Sequence, residues 1–307
     1  MHVAVCIVGY RNAGDITRCL EALGQSSHAD FEVVICENGG DAAYAVLSAC
    51  VPERLPFGQQ VRAISAPENP GYAAGVNLCM AEAPEADAWW ILNPDTIPSP
   101  DALEIMSAHL VRGGFGAVGC TVYYKDGMVE SRGGRWVPWL ARATSLEHSK
   151  PLDAPVDAPA VEARLNYLNG ASMLVGRSFL VATGPMREDY FLYVEEVEWC
   201  LRGLARAQTL GMATDAKVLH FKGTTTGSIQ AVAARSRAPV YLDERNKLLL
   251  TRDLFRSRLP VAAAASLILL FLRFGRRGAW RPLGYGLSGW WAGLRGERGK
   301  PAWIREA

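Results

Sequence analysis

Residues 88–96, which read AWWILNPDT, join a short apolar run to a polar turn. Five consecutive apolar residues that end at a turn signal are typical of a strand buried on both faces of a parallel sheet. The segment Asn93-Pro94-Asp95 then lies at the carboxyl end of the strand, where open α/β sheets bind ligands. A carboxylate in this place can bind a hard cation through its oxygens, but Asn-Pro-Asp is also a common turn. The residues by themselves leave both interpretations of Asp95 open.

The chain on both sides of this strand alternates short apolar runs with helical patterns. Strands are predicted at 2–8, 31–36, 61–64, 88–92 and 117–123, and helices at 16–23, 42–49, 73–83 and 101–110. This order predicts an α/β fold whose mostly parallel, Rossmann-like sheet carries helices on both faces. Residues 125–164 are rich in glycine, proline and polar residues and are predicted to form a long, mobile excursion. Beyond them, ordered elements are predicted at 171–175, 195–207, 217–219 and 240–255.

Polar residues also follow the other predicted strands. The first strand ends in Gly9-Tyr10-Arg11-Asn12, the second in Glu37-Asn38-Gly39, and the third leads into residues 69–77. A parallel sheet places these segments side by side on one rim. Glycines there allow a ligand to approach the backbone closely, and Asn and Glu side chains can hydrogen-bond a base or a ribose. The rim is therefore a candidate nucleotide site.

Charge is distributed unevenly along the 307 residues. The net charge is +1, but residues 252–307 hold 11 Lys/Arg and only 3 Asp/Glu, so the rest of the chain is acidic. This basic tail also contains Trp280, Trp290, Trp291 and the apolar run 259–272, a combination that favours peripheral attachment to an anionic membrane surface. A buried apolar helix with solvated arginines is the alternative. Because the tail is apolar and rich in tryptophan, no nucleic-acid partner is expected.

The overall composition predicts a globular protein in a reducing compartment. Half of the residues are hydrophobic and 21% are charged, which is enough for a sizeable core. The seven cysteines are scattered without CxxC spacing, so reduced thiols in the cytoplasm are expected rather than a zinc site or disulfides. The amino terminus opens directly into a predicted strand, and no signal peptide is expected. The longest uncharged apolar run, 259–272, is shorter than the ~18–20 residues that span a bilayer, so no membrane-spanning helix is predicted.

The motifs along the chain, in their order and spacing, resemble those of family 2 inverting glycosyltransferases. The matching segments are 8–11, 37–38, 69–77, 93–96, 169–174, 190–200 and His220. The similar branch is the rhamnosyltransferase-like one, which builds bacterial surface polysaccharides. The resemblance implies a GT-A fold with a nucleotide-sugar half at 1–123 and an acceptor half at 124–255. A helical, membrane-associating tail at 256–307 would follow.

The resemblance also implies roles for residues around the donor. One group contacts the nucleoside (Tyr10, Glu37, Asn38), a second contacts the nucleotide-sugar (Asn69, Gly71, Asn77), and Arg11 and Asn93 are assigned to the same donor site. Asp95 corresponds to the last aspartate of the family's Asp-x-Asp motif and would bind Mg²⁺ or Mn²⁺, while Asn93 stands where many members have the first. His220 resembles a late histidine that approaches the metal or the diphosphate. Judged from the residues alone, a single His after an apolar strand is more often structural.

An acidic run, Glu195-Glu196-x-Glu198, is the candidate for the catalytic base. The family pattern is Glu-Asp-x-Asp, and its base maps onto Glu196, which is one methylene longer; Glu195 is the alternative. Acidic residues at a helix start are also favoured by the helix dipole alone. In the same segment, Trp199 is a candidate for stacking on a sugar face, although aromatic residues at this density more often belong to the core. Residues 245–247 match a family motif whose basic residue approaches the diphosphate.

These assignments predict an inverting glycosyltransferase. It would move a sugar, such as rhamnose or a related deoxyhexose, from a UDP- or dTDP-sugar to a lipid-linked or saccharide acceptor at the inner face of the cytoplasmic membrane. A sugar nucleotidyltransferase is one alternative, but it would need a Gly-rich phosphate loop with a basic residue after the first strand, which residues 9–12 do not supply. A nucleotide-sugar-binding protein without catalysis is the other, and only the departures at Asn93 and Glu196 favour it.

Overall fold

A computed structural model describes residues 1–66, 68–221 and 232–304 of the chain. The strands are β1 Val3–Gly9, β2 Phe31–Glu37, β3 Val61–Ser65, β4 Ala88–Leu92, β5 Thr96–Pro98, β6 Ala117–Tyr123, β7 Val129–Ser131, β8 Gly134–Val137, β9 Arg142–Ser145, β10 Ser172–Gly176 and β11 Leu210–His220. The helices are α1 Ala13–Leu23, α2 Asp41–Cys50, α3 Tyr72–Glu82, α4 Ala102–Gly113, α5 Ala158–Glu162, α6 Arg177–Thr183, α7 Glu195–Leu204, α8 Arg237–Leu254, α9 Leu259–Phe274 and α10 Trp280–Arg295. Short 3₁₀ turns lie at Pro138–Leu140, Glu188–Tyr190, Val232–Ala234, Arg256–Arg258 and Gly275–Arg277.

A single mixed sheet carries most of the strands. Its order is β3-β2-β1-β4-β10-β6-β11-β5, with β7 paired to β6. β1, β2, β3 and β4 are parallel to one another, as β6 is to β11, whereas β10, β5 and β7 run antiparallel to their neighbours. The predicted α/β architecture is confirmed, but the sheet is not mostly parallel: it is parallel from β3 to β4, whereas four of its eight pairings among the described residues, β4–β10, β10–β6, β11–β5 and β6–β7, are antiparallel.

β1 shows why the strands are apolar throughout. All seven of its residues are buried. Ala4, Cys6 and Val8 pack in the cluster that includes α3, while the alternate residues of β1 pack in the cluster that includes α1, α2 and α4. A strand covered on both faces has no solvated side, so its sequence cannot alternate between polar and apolar residues.

β4 buries two neighbouring indoles on opposite faces of the sheet. Trp89 donates its Nε1–H to the Ala83 carbonyl at 3.1 Å, and Trp90 donates to Ser172 Oγ at 2.9 Å. Because each indole N–H has an acceptor, both rings can be buried without a desolvation penalty for that group. The strand that ends in Asn93-Pro94-Asp95 is thus anchored on both sides of the sheet.

The region from 125 to 164 is more ordered than its composition suggests. The predicted mobile excursion is wrong: it contains β7, the β8–β9 hairpin and α5. Its glycines and prolines mark the turns between these short elements rather than a structureless loop. The strand predicted at 217–219 is the end of the longer β11, whose register shifts between Ala213 and Lys217. That irregularity interrupts the side-chain alternation on which the sequence prediction depends.

The tail forms a helical hairpin, α9 and α10, that packs against α8. A Cβ at Gly289 would lie 2.2 Å from the Tyr241 carbonyl oxygen, and one at Gly293 would lie 2.6 Å from that of Arg245. The small residues therefore allow α10 to approach the α8 backbone closely. Six of the seven cysteines are buried, and all seven are free thiols, as expected.

One prediction about the tail needs correction. Among the described residues, the helical stretch Arg256–Arg277 is long and apolar enough to cross a membrane, by length and composition alone. The sequence prediction stopped at Arg273, but the helix and its flanking turns continue through that residue. Only 28% of its most apolar window is buried, so the stretch is not an ordinary core helix. A single such helix is weak evidence for a span.

Candidate active site

A cavity of about 580 Å³ lies at the carboxyl ends of β1, β2 and β4. Nine of the predicted site residues line it: Tyr10, Asn38, Asn69, Gly71, Asn93, Asp95, Glu195, Glu196 and His220. The structure thus brings the strand-end motifs and the acidic pair into one space, although they are far apart in sequence.

Hydrogen bonds hold the strand ends together at the rim of this cavity. Asn38 Nδ2 donates to the Gly71 carbonyl at 2.9 Å, which joins the ends of β2 and β3. The Tyr72 hydroxyl donates to Asn93 Oδ1 at 3.0 Å and also approaches the Gly170 carbonyl at 3.2 Å. Asn93 is therefore oriented by its neighbours.

Asp95 and His220 meet because β5 and β11 are paired. In this antiparallel ladder Thr96 lies opposite His220, and the Phe221 backbone N–H donates to the Asp95 carbonyl at 2.9 Å. His220 Nε2 lies 3.3 Å from Asp95 Oδ1, and its Nδ1 lies 2.7 Å from Glu130 Oε2. Burial would lower the pKa of His220, but the hydrogen bonds and charges of Asp95 and Glu130 raise it to about 9.

Two of these side chains, Asp95 and His220, could ligate a divalent cation, and Glu130 could orient the histidine. With His220 neutral and its Nδ1–H donated to Glu130, Nε2 is free to act as a ligand beside Asp95 Oδ1. A carboxylate that orients a metal-binding histidine through its other nitrogen is a frequent arrangement. No group of three or more His, Cys, Asp or Glu side chains in the described part of the chain has the geometry of a complete metal site. A cation bound here would need further oxygen ligands, which a diphosphate can supply.

The loop before α7 has an unusual backbone. Phe191, Tyr193 and Val194 have φ values of 69°, 76° and 76°, which L side chains rarely adopt, least of all β-branched valine. Each such residue costs about 1–3 kcal/mol and persists only when its surroundings hold it. Such residues cluster at active sites, and this loop leads directly into Glu195 and Glu196.

Side chains from α8 hold this loop. Asn246, which is fully buried, donates from Nδ2 to the carbonyls of Tyr190, Leu192 and Tyr193 at 3.0, 2.7 and 2.9 Å. Arg245 donates to the Tyr190 carbonyl at 2.8 Å. The approach of Arg245 to a diphosphate, suggested by its motif, is therefore wrong, because its guanidinium is buried and holds backbone instead.

The third strand end supports the same loop from the opposite side. Tyr72 N–H donates to the Phe191 carbonyl at 2.9 Å. Gly71 has a φ of +104°, and a Cβ there would lie 2.4 Å from that carbonyl oxygen. Glycine is thus required at 71 for this close approach, so its place in the motif has a backbone explanation.

Glu195 and Glu196 both carry raised pKa values. For Glu195 the causes are burial and then the charge of Glu196. For Glu196 the first cause is again burial, and Asp243 raises its pKa further. Glu195 Oε2 is buried without a hydrogen-bond partner, whereas Glu196 is partly exposed and packs against Gly170. A carboxylate whose pKa is raised toward neutrality is suited to general-base chemistry.

Glu198 has a different environment from the pair that precedes it. Its side chain is 1% exposed, and Arg202 donates to Oε1 and Oε2 at 2.8 and 3.1 Å. The bidentate ion pair ties Glu198 to its own helix, so it does not face the cavity and cannot reach a substrate proton.

Three predicted donor-binding residues do not line the cavity. Glu37 is fully buried, and its Oε1 accepts hydrogen bonds from the backbone N–H groups of Arg11 and Gly39 at 2.9 and 2.7 Å. The Arg11 side chain donates to the Gly39 carbonyl at 3.3 Å. Asn77 exchanges hydrogen bonds with the Met186 backbone and also reaches Glu188. These contacts correct the prediction: the three residues shape the turns around the cavity.

Trp199 is a core residue, and its predicted stacking on a sugar is wrong. Its side chain is fully buried, Nε1 donates to the Gly184 carbonyl at 2.8 Å, and the ring meets Phe179 edge-on at 5.3 Å. An enclosed ring with a satisfied N–H has no face left for a ligand.

Sequence reasoning missed two residues that build the site. Glu130 lies on β7, inside the region that was expected to be an excursion, and nothing in its local sequence indicates a partner 90 residues away. Asn246 lies in the matched segment 245–247, but its role in holding the loop before α7 was not predicted and follows from the tertiary contacts alone. Tyr72 was part of the matched segment 69–77, but the hydrogen bond from its hydroxyl to Asn93 could be found only from the structure.

The contacts of Asn246 predict a large effect of its removal. Asn246→Leu keeps the branched shape of the side chain but removes its hydrogen bonds to three carbonyls of the loop, so the free energy of unfolding should fall by about 2–4 kcal/mol. The loop would also relax, and kcat should fall at least about tenfold because a small misplacement of a catalytic group is costly. Urea unfolding and steady-state kinetics measure both.

Thr251→Ala is the matched control for this prediction. Thr251 is equally buried on α8, but its hydroxyl only bonds the Lys247 carbonyl of the same helix, at 2.8 Å. We expect a loss of about 1 kcal/mol of stability and an unchanged kcat. Equal losses of kcat in the two variants would contradict a positioning role for Asn246.

Residues 4–160, about half of the chain, match the family model described as Glycosyl transferase family 2. The N-acetylglucosaminyl-diphospho-decaprenol L-rhamnosyltransferase of Mycobacterium tuberculosis is 29% identical over 255 residues, which cover 73% of this chain and 77% of the relative. The matched segment contains β1 to β4 and Asp95, so the family match includes most of the cavity rim.

Two solved structures show the same fold. The mannosyltransferase PcManGT from Pyrobaculum calidifontis, in complex with GDP-Man and Mn²⁺, aligns with a TM-score of 0.55 at 15% identity over 95% of this chain and 87% of its own. TarS of S. aureus aligns with a TM-score of 0.54 at 12% identity over 87% of this chain, which spans only 43% of the TarS chain. The mixed sheet, the cavity at its strand ends and the family match lead to one conclusion: the chain belongs to glycosyl transferase family 2 and has the GT-A fold.

Proposed function

We propose that this chain is an inverting glycosyltransferase that moves a sugar from a UDP- or dTDP-sugar to a lipid-linked or saccharide acceptor. The observation that carries the proposal is the joint presence, in one cavity, of an acidic pair with raised pKa values and the Asp95–His220 pair. The first supplies a base and the second a cation site, which are the two parts that such a transfer needs.

The acceptor and the sugar are proposed by similarity. The Mycobacterium tuberculosis relative is named as a rhamnosyltransferase that acts on a diphospho-decaprenol-linked sugar. We infer rhamnose or a related deoxyhexose as the transferred sugar and a polysaccharide of the cell envelope as the pathway product. The nucleotide would lie at the rim formed by Tyr10, Asn38 and Asn69, because these residues extend the cavity on the side of β1 and β2.

The base in this proposal is Glu196. Its partly exposed carboxylate takes the proton of the acceptor hydroxyl, whose oxygen forms a bond to the anomeric carbon. The bond from that carbon to the diphosphate breaks on the opposite face, so the configuration inverts. Glu195, whose carboxyl is more deeply buried, is the alternative for the same role.

A divalent cation, Mg²⁺ or Mn²⁺, would be held by Asp95 and His220 Nε2 and would offset the charge that develops on the leaving diphosphate. Asp95 is the one rim carboxylate of the Asn93-Pro94-Asp95 turn, so the substrate's phosphate oxygens would complete the coordination. The structure of PcManGT with GDP-Man and Mn²⁺ supports this choice of metal.

We also propose that residues 256–307 attach the protein to the inner face of the cytoplasmic membrane. From 254 to 296 the chain has seven arginines and no acidic residue. The outer side of α9 exposes Val261, Ile268, Phe271 and Leu272. Exposed apolar side chains with nearby cations are typical of interfacial helices. The same proposal divides the chain into a catalytic domain, residues 1–255, and the membrane-attaching tail. Within the catalytic domain, residues 1–123 would form the donor half and residues 124–255 the acceptor half.

Incubation with a panel of nucleotide-sugars tests the proposed activity. We expect release of UDP or dTDP that requires both an acceptor and a divalent cation and stops when EDTA is added. The unaltered protein with each nucleotide-sugar but no acceptor is the control. Exchange of pyrophosphate into the nucleotide would instead identify a nucleotidyltransferase, and tight binding without turnover would identify a binding protein.

A further inference from the structure

The tip of the β8–β9 hairpin presents two exposed apolar side chains on a fixed base. At the tip, Trp139 is 49% exposed and Leu140 is 38% exposed. At the base, Trp136 is buried and its backbone N–H donates to Asn166 Oδ1 at 2.7 Å. Two adjacent exposed apolar side chains on an ordered hairpin form an apolar patch at its tip, and such patches can mark a contact site.

The charges around the tip specify the chemistry of that partner. Arg135 and Arg142 are exposed on the two strands that lead to it. Residues 131–146 contain no aspartate or glutamate. The Arg258 guanidinium lies 4.8 Å from the centroid of the Trp139 ring. A tryptophan at an apolar tip with cations around it matches the interface of an anionic bilayer, where the ring sits at headgroup level.

The tip of the hairpin lies next to α9. The 3₁₀ turn that carries Trp139 packs against α9, and Arg258 lies at the amino end of that helix. Apart from Pro260 in the first turn, the exposed residues of α9 lie at 261, 264, 268, 271 and 272 and follow the i, i+3, i+4 spacing of one helix face. A planar partner that contacts α9 therefore lies within reach of the hairpin tip.

We propose that Trp139 and Leu140 insert into the interface of an anionic lipid bilayer alongside α9. The membrane contact then spans the acceptor half of the catalytic domain as well as the tail, so the bilayer fixes the orientation of the cavity and does not merely tether the chain. This inference rests on the proposed attachment of the tail to a membrane, but not on the proposed transfer reaction.

Flotation of the full chain with vesicles tests the inference. The vesicles contain phosphatidylcholine with about one third phosphatidylglycerol, and pure phosphatidylcholine serves for comparison. We expect the W139S/L140S variant to partition about tenfold more weakly into the anionic vesicles, because two apolar side chains lose their burial. F57S is the matched control: Phe57 is 72% exposed on a loop of the donor half, and its removal should leave partitioning unchanged.

A second pair of substitutions tests the charges. R135Q/R142Q should weaken binding to anionic vesicles and leave the weaker binding to neutral vesicles unchanged, and the difference should shrink at high salt. Unaltered partitioning of W139S/L140S, or an equal loss in F57S, would overturn the inference. So would light scattering that shows the unaltered chain to be a dimer and W139S/L140S a monomer, since the tip would then contact a second copy.

Release of UDP or dTDP with a soluble acceptor, measured in detergent, separates the two proposals. None of these variants alters a residue of the cavity, so each should release UDP or dTDP at the rate of the unaltered protein. An unchanged rate would also show that the variant is folded. Absence of release by the unaltered protein would contradict the transferase activity, while the vesicle result would still decide the role of the hairpin tip.

Discussion

The Glu196→Gln variant is expected to transfer sugar about 10²–10⁴-fold more slowly, because an amide cannot take the proton of the acceptor hydroxyl. The KM for the nucleotide-sugar should change little, since Glu196 is assigned to the acceptor and not to the diphosphate. Steady-state kinetics with a fixed acceptor measure both quantities. In the unaltered enzyme kcat should rise as Glu196 loses its proton. Burial raises the pKa of Glu196 to about 7, so the midpoint of this rise should lie near pH 7 rather than near the ordinary Glu value of ~4.3.

Two further glutamates on α7 provide the controls. Glu198→Gln loses the ion pair with Arg202 and some stability, but should keep its kcat because Glu198 faces away from the cavity. Glu195→Gln should leave the acidic limb of the pH profile nearly unchanged, since the pKa of Glu195 is raised to about 8 and its carboxyl is still protonated where Glu196 titrates. Near-normal turnover of Glu196→Gln together with an inactive Glu195→Gln would move the base to Glu195.

The Asp95→Asn variant is expected to lose at least about 10³-fold in kcat/KM, because the cation supplies several kcal/mol of stabilisation to the departing diphosphate. The substitution keeps the shape of the side chain and removes its charge. Binding of Mn²⁺ measured by calorimetry, in the presence of the nucleoside diphosphate, gives a readout that does not depend on turnover. Affinity in the unaltered protein should increase as pH rises towards 9, because the metal must displace the proton that His220 holds.

Two further variants, one beside Asp95 and one distant from it, should have an intermediate effect and no effect, respectively. Glu130→Gln keeps the metal-binding carboxylate but weakens the hydrogen bond that orients His220, and should reduce metal affinity about 10–100-fold. Asp215→Asn, on the exposed side of β11, should change neither affinity nor rate. Full metal affinity in Asp95→Asn would contradict the cation site.

The parallel half of the sheet was predictable because burial on both faces leaves a strong local signal. β1 and β4 are apolar at every position, and the polar residues that follow them could be assigned to a common rim. β11 was predicted only at its end, because the irregularity after Ala213 breaks the alternation. The hairpin of β8 and β9 was missed, since its two strands have four residues each and its turn contains proline.

The site was predictable to the extent that its residues follow strands. Asp95 and Asn38 lie at strand ends, and the cavity contains them. Trp199 and Glu37 were misjudged because their roles depend on which side of an element faces the core, and a single sequence does not reveal that. Glu130 depends on a contact between β7 and the end of β11, which no local pattern encodes.

The ladder between β5 and β11 has a consequence for recombination between relatives. Three residue pairs set its register, from Val218 opposite Pro98 to His220 opposite Thr96. A slip by one residue would turn His220 to the other face of the sheet. A chimera that joins the first 123 residues of one parent to the remainder of another takes β5 from the first parent and β11 from the second. Asp95 and His220 must therefore come from the same parent for the proposed cation site to form, although they lie in different halves of the chain. Chimeras whose crossover separates these two residues are expected to be mostly inactive.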